Sequence, residues 1–246
     1  YEVAITTHET EPERALKSLR FFEERFKDGI VLFTDFLRDI GSQRDALIAE
    51  LRRSPVKVLG VGSELRGIVP CIDIERAWAF RDCLRRLRGD GHRKIVIVYK
   101  TPADFREAFP AFDKPDCIHM DGVYTADDFR TRWQSVRNEY PDATAVFFRS
   151  DEIAIPALAH FAETGIAVPD ELSVAGFDHF RFSEYTTPPL TTYDINFAKL
   201  GRLAFDHLYR WIRGRKALDP SYHRTVRPTF IERQSHIRTR TKRKRS

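Results

Sequence analysis

Short unbroken apolar runs alternate with longer amphipathic stretches along most of this chain, and few folds accommodate that rhythm. YEVAI reads as a strand, PERALKSLRFFEERF as a helix, DGIVLF as a strand, SQRDALIAELRR as a helix and VKVLGVG as a strand. The pattern resumes with IERAWAFRDCLRRLRGDG as a helix closed by glycine, HRKIVIVY as a strand, DDFRTRWQSVRNEY as a helix and ATAVFF as a strand. SDEIAIPALAHFAETG follows as a helix that Ser150 or Asp151 can cap and Gly165 can end, and LSVAGF is the next strand. Strands that are apolar on both faces and separated by helices belong to parallel sheets covered on both sides. The expected class is doubly wound α/β.

The rest of the chain breaks this rhythm. TTPPLTT cannot be helical, because two prolines remove amide donors and hold their predecessors extended, which suits a connection able to act as a hinge. NFAKLGRLAFDHLYRWIRG reads as one long amphipathic helix ended by Gly214, and HRTVRPTFIERQS as a final pair of short extended segments. No internal repeat is evident.

Composition narrows the function. With 246 residues, 42% of them hydrophobic and 12% aromatic, the chain can bury one large core or two modest ones. It contains no run of about 18 apolar residues, and its opening YEVAITTHETEPE does not read as an export signal. These readings predict a cytoplasmic protein with no membrane partner. The three cysteines, Cys71, Cys83 and Cys117, are widely spaced without CxxC or paired histidines, and read as reduced thiols with no metal. The net charge of +5 is concentrated at one end, since six Lys or Arg residues fall within RTRTKRKR at 238–245. Such a tail can gain affinity for DNA by counterion release or serve as a solvated terminus.

Enzyme motifs are missing: the chain has no GxSxG elbow, GxxxxGK[ST] loop, HExxH or helix-opening GxGxxG, and LGVGSE is too poor in glycine for a dinucleotide loop. No catalytic residue and no cofactor is expected. Binding chemistry is better represented. A polyol needs donors and acceptors at fixed positions and an aromatic face, and open α/β sheets bind ligands at the carboxyl ends of their strands. Asp178, in GFDH after a buried strand, is a candidate ligand contact, its alternative role being that of a strand-end turn residue bonded to a backbone amide. Asp151, in RSDEIA, can contact a ligand or cap its helix and offset the dipole. Were Asp151 and Asp178 an acid and base pair, the chain would instead be a two-lobed enzyme.

The run VPDELSVAGFDHFRFSEYTTPPLTTYDINFAKLGRLAFDHLYRWIRG, residues 168–214, resembles the C-terminal signature of the LacI/GalR family of repressors. Residues 28–33, 84–99 and 145–171 are similar to that family as well, so the resemblance covers nearly the whole chain. Exported sugar-binding proteins of transporters share the fold and stand as the alternative, but they usually lack the GFD plus TPPLTT arrangement.

The resemblance implies a periplasmic-binding-protein-like fold of type I: two lobes, each a doubly wound parallel sheet, joined by three crossings near 71–73, 191–194 and 217–223. The first lobe would hold 1–71 and 193–217, the second 72–192 and 218–236, with 237–246 a basic tail. It further implies a carbohydrate effector bound in the interlobe cleft, a homodimer, and operator DNA read by an N-terminal helix-turn-helix domain outside this chain. The chain opens at what should be the second strand of the first lobe, so that domain and the first βα unit are expected to be truncated. Site residues carried over with the family are Asp178, Asp151, Ser150 where many members have asparagine, and Arg106 in DFREAF, whose fork can bind two oxygens. Phe197 and Tyr124 match aromatic positions that line the family's cleft, although Phe197 fits an apolar helix core equally well. The segment KTPADFREAFPAFDKPD is shorter than the family's usual one and lacks its glycines. His179, Phe180 and Tyr185 follow Asp178 on a loop that can line the cleft mouth or simply be exposed.

Overall fold

In the computed structural model, residues 12–25, 28–34, 43–99 and 117–236 are described. They form two compact units, one drawn from Tyr1–Ile74 with Phe197–Val226 and the other from Glu75–Asn196 with Arg227–Ser246. The chain passes between units three times, the number of crossings that the resemblance implies. The expected strand YEVAI, Arg106 and the basic tail lie outside the described residues.

The first unit contains helix α1 (Pro12–Arg25), strand β1 (Gly29–Phe33), helix α2 (Gln43–Arg53) and strands β2 (Lys57–Val61) and β3 (Cys71–Ile74). Its sheet has the order β1-β2-β3-β9, all parallel, with β9 (His223–Val226) at the edge. Residues 218–226 therefore join the first unit, whereas the expected boundary put them in the second. The reason is strand pairing: Cys71 to Ile74 of β3 lie in register with His223 to Val226. Leu19, Leu47, Leu51, Val58, Leu65, Val69 and Cys71 form the buried cluster of this unit.

The long C-terminal helix (Phe197–Ile212) packs on β1 and β2. Its close approach is set by Gly29, where an added Cβ would lie 2.8 Å from Leu208 Cδ1 and 3.1 Å from the Lys57 carbonyl oxygen.

The second unit contains helix α3 (Arg76–Gly89), strands β4 (Ile95–Val98) and β5 (Cys117–Met120), helix α4 (Ala126–Glu139), strand β6 (Ala145–Phe148), helix α5 (Asp151–Glu163) and strand β7 (Ser173–Ala175). A parallel sheet of order β5-β4-β6-β7 carries its core. The apolar strands predict this burial: every residue of β4 and β6 is buried, and Phe129, Trp133, Phe148 and Phe161 pack together beside them. Strand β8 (Thr192–Asp194) pairs antiparallel with β10 (Thr229–Ile231). The long helix Phe197–Ile212 is designated α6. Strands β3, β5 and β8 were not singled out in the sequence, because CIDI, CIHM and TYD are short and interrupted by polar residues, unlike IVIV and AVFF.

Local signals account for several element ends. Ser150 caps α5 by accepting a hydrogen bond from the Glu152 amide at 3.2 Å. Thr125 and Asp128 form a capping box on α4. Gly165 and Gly214, expected to end helices, take φ of +76° and +66°. All three cysteines are buried free thiols. No helix among the described residues is long and apolar enough to cross a membrane.

Replacing Gly29 by valine should force α6 away from β1. The expected cost is about 1–3 kcal/mol from overpacking, read as a lower denaturation midpoint with an unchanged slope.

Candidate functional site

Because β5, β4, β6 and β7 are parallel, their carboxyl ends share one edge of the second unit's sheet. The chain moves outward from β4 to β5 and then returns to β6 on the other side, so the order reverses beside β4. Such a reversal is where open α/β sheets bind ligands. Tyr124 follows β5, Arg149 and Ser150 follow β6, and Asp178 follows β7.

Asp151 anchors this edge from beneath. Its side chain is fully buried and turned away from the helix cap. Oδ2 accepts hydrogen bonds from the Ser183 hydroxyl at 2.5 Å and the Phe180 amide at 3.1 Å, and Oδ1 accepts one from the Thr192 hydroxyl at 2.7 Å. The Asp151 amide donates to the Phe177 carbonyl at 2.7 Å. Gly176 makes room for this arrangement, since a Cβ there would sit 2.1 Å from Asp151 Oδ1. Burial raises the Asp151 carboxyl above the ordinary range, and its three donors only partly offset that. A carboxylate held by three donors in this way braces the turn that follows β7.

The segment after Asp151's partners is tied down as well. Residues 191–194 run parallel to 175–178, with the Gly176 amide donating to Thr191 O at 2.8 Å and the Asp178 amide to Tyr193 O at 3.0 Å. The Tyr193 hydroxyl donates to Asp82 on α3 at 2.7 Å, and Asp82 also accepts from Arg86 Nε at 2.7 Å and from Arg85. Burial acts to raise the Asp82 carboxyl, but these donors outweigh it and hold it low. Arg233 donates to the Leu190 carbonyl at 2.7 Å, and its other guanidinium nitrogen lies 2.8 Å from His179 Nε2. His179 Nδ1 in turn lies 3.5 Å from Asp194 Oδ1. An Nδ1-protonated imidazole satisfies both contacts.

On this frame Asp178 is held at φ 102° and His179 at φ 56°. Positive φ at non-glycine residues costs on the order of 1–3 kcal/mol and persists only where the surroundings enforce it. The Asp178 carboxyl is half-buried, and burial pushes it up to about 7 against the pull of Arg76, the Ser150 hydroxyl and Arg149. Near neutral pH such a group can either donate to or accept from a ligand hydroxyl.

The family described as periplasmic binding protein-like domain matches residues 84–236. The chain belongs to that family. Catabolite control protein A of Priestia megaterium is 25% identical over 205 residues, which cover 78% of this chain and 60% of that protein. The HTH-type transcriptional repressor PurR of Haemophilus influenzae is 25% identical over 251 residues, covering 96% of this chain and 72% of its own length. A solved LacI family transcriptional regulator from Lactobacillus casei, with bound sucrose, superposes with a TM-score of 0.73 at 23% identity, covering 96% of this chain and 88% of that one. The resemblance to LacI/GalR effector-binding domains, read from residues 168–214, is borne out, and so is the α/β class with parallel sheets.

For a periplasmic binding protein-like domain, the expected site residues divide into four groups. Ser150 and Asp178 stand together at the sheet edge, the hydroxyl bonded to the carboxyl. Asp151 is adjacent in sequence but committed to the frame. Tyr124 is exposed at the carboxyl end of β5, with its amide 3.1 Å from Asp128 Oδ2, while Phe197 opens α6 in the other unit and is likewise exposed rather than core. Arg106 lies outside the described residues. Sequence reading missed Arg76 and Arg149, although a charged residue directly after the apolar run AVFF was visible. It also missed Ser183 and Thr192, which are 32 and 41 residues from the aspartate they hold. Among the described residues no group of His, Cys, Asp and Glu is placed to hold a metal ion.

Asp151→Ala would strand three donors and is expected to cost at least about 3 kcal/mol by chemical denaturation, with Gly176→Ala destabilising in the same direction. A raised carboxyl keeps its proton in the folded state after the unfolded chain has lost it. Stability contributed by Asp178 therefore falls as pH rises from about 4 to about 7 and levels off above. Asp178→Asn should gain melting temperature relative to the parent at pH 8 compared with pH 4.5, leaving the smaller decline due to Asp151.

Proposed function

We propose that this chain is the effector-sensing part of a LacI/GalR-type transcription regulator and that it binds a small carbohydrate at the carboxyl edge of the second unit's sheet. The observation that carries this reading is Asp178: a carboxyl held at a strained backbone angle beside the Ser150 hydroxyl, on a frame whose hydrogen bonds converge to keep it there. Strain that is enforced by so many partners marks a position retained for use rather than for stability. The family membership, the regulator relatives and the sucrose held by a neighbour of the same fold support a sugar-like ligand.

In this reading Asp178 and Ser150 hold ligand hydroxyls, Tyr124 offers an aromatic face, and Asp151 positions the loop that presents Asp178. The ligand shifts a conformational equilibrium by its differential affinity for two states, and a DNA-binding segment joined to this domain reports the shift to an operator. The protein acts in the cytoplasm as a homodimer, with no chemical turnover of the ligand.

A thermal-shift screen with pentoses, hexoses and disaccharides tests this. A true effector raises the melting temperature by mass action, about 2.7 kcal/mol of stabilisation at a hundred times Kd. The shift should vanish in Asp178→Ala. A sugar that stabilises both proteins equally would remove Asp178 from the site, and conversion of the sugar on prolonged incubation would show an enzyme.

A further inference from the structure

The proposed sugar site makes no use of His179, although it is the residue next to Asp178 and its ring sits between a carboxylate and a guanidinium. Nε2 lies 2.8 Å from Arg233 Nη2, and Nδ1 lies 3.5 Å from Asp194 Oδ1. A guanidinium can only donate hydrogen bonds, so Nε2 accepts and the ring proton sits on Nδ1, toward the carboxylate. The contact with Arg233 therefore requires an uncharged imidazole. A ring protonated on both nitrogens would turn an N–H and a positive charge toward another cation at hydrogen-bond distance.

Arg233 depends on that uncharged ring. Among the described residues its guanidinium bonds to two neutral acceptors, His179 and, through Nη1, the Leu190 carbonyl at 2.7 Å. The fork is planar and rigid, so displacing one nitrogen disturbs the other. The Arg233 amide donates to Thr191 Oγ1 at 2.9 Å, so both residues before β8 are held from here. Strand β8 in turn holds the turn after β7: the Asp178 amide donates to Tyr193 O at 3.0 Å, and the His179 amide to the Thr192 hydroxyl at 3.4 Å. The path from Asp194 through His179 to Arg233 thus closes around the turn that sets Asp178 at φ 102°. A similar contact in the first unit lacks this dependence. Arg66 lies 2.8 Å from His223 Nε2 but also 3.2 Å from Asp73 Oδ2, a charged partner independent of the imidazole.

We propose that His179 is the positioning residue for Asp178 and that its proton decides whether the turn is held: uncharged His179 keeps Arg233 in place, and protonation releases Arg233 and loosens the turn. Imidazole is suited to this, because it changes charge between about pH 5 and 8 while a guanidinium stays charged. The charged groups beside the ring are Asp194 on β8 and Arg233 after β10. Asp151 on α5 interacts with it across the turn, Arg76 and Arg149 act on the neighbouring Asp178, and Arg181, two residues on, lies over the Phe182 ring. The latch is a property of the free protein. Its consequence rests on the sugar-binding reading above: acidification weakens effector binding through His179, in addition to any proton taken by Asp178.

The test follows the whole chain by NMR from about pH 8 to about pH 5.5, a range that spans imidazole titration, without ligand. It uses an Asp178→Asn background, so that the neighbouring carboxyl contributes no proton, with His179 retained, His179→Gln or His179→Phe, each checked for folding by circular dichroism. Glutamine offers Arg233 an uncharged acceptor, and phenylalanine offers none. At the upper pH the ring nitrogen shifts should place the proton on Nδ1, and on acidification the amides of residues 178–180, 191 and 233 should move together as His179 is protonated. That step should be absent in His179→Gln, and His179→Phe should show at the upper pH the amide positions that protonated His179 produces. A ring proton on Nε2 at the upper pH, or amides that stay still while His179 titrates, would overturn the proposal. With Asp178 intact, calorimetric titration with sucrose and with ribose reads the consequence: the loss of affinity over the same range should be about 10-fold greater in the parent than in His179→Gln, since both share the contribution of Asp178. An equal loss in both would overturn the positioning role. If neither sugar binds while the amides still follow His179, the sugar reading fails and the latch stands.

Discussion

A single buried carboxylate holds the carboxyl edge of the second unit's sheet in place. Asp151 connects the start of α5, the turn at 180–183 and strand β8, through three side-chain hydrogen bonds, with its own amide bonded to Phe177 O. Such a group is costly to bury unless its oxygens are satisfied, so it enforces its surroundings as strongly as they enforce it. Gly176 leaves the space that the carboxylate occupies. The strained backbone at Asp178 follows from this arrangement, since the strand before it and the turn after it are both fixed.

Two further ties make the edge rigid from other directions. Asp82 joins α3 to β8 through Tyr193, and Arg86 lies 4.2 Å from the centre of the Phe230 ring on β10. Arg233 and Ser235 bring the end of the described chain back onto the same loop, Ser235 accepting from the Thr191 amide and donating to the Val174 carbonyl. A side chain held by converging bonds is preorganised, which would lower the entropy cost of any binding there.

Much of the fold was legible in the sequence, and the reasons are specific. AVFF and IVIV are apolar without alternation, which only a strand buried on both faces explains, and both are fully buried. The α5 boundaries were readable because Ser150 and Gly165 are good terminating residues for clear steric and hydrogen-bonding reasons. The site was legible only in part. Asp178 is marked by its place at a strand end together with the family resemblance, and Ser150 as a site residue by the resemblance alone. Asp151 read equally as a ligand contact or a helix cap, since the partners that draw it inward are remote in sequence. The boundary near residue 218 was misread because HRTV carries no mark of which sheet it joins.

The sequence by itself determined the element types, the parallel sheets and the family, because periodicity and turn chemistry act over a few residues and leave direct traces. Tertiary structure alone decided which carboxyl is a brace and which is available, and which arginines stand beside it. Those outcomes depend on burial and on partners tens of residues away, and a polar side chain's role follows from what surrounds it in space.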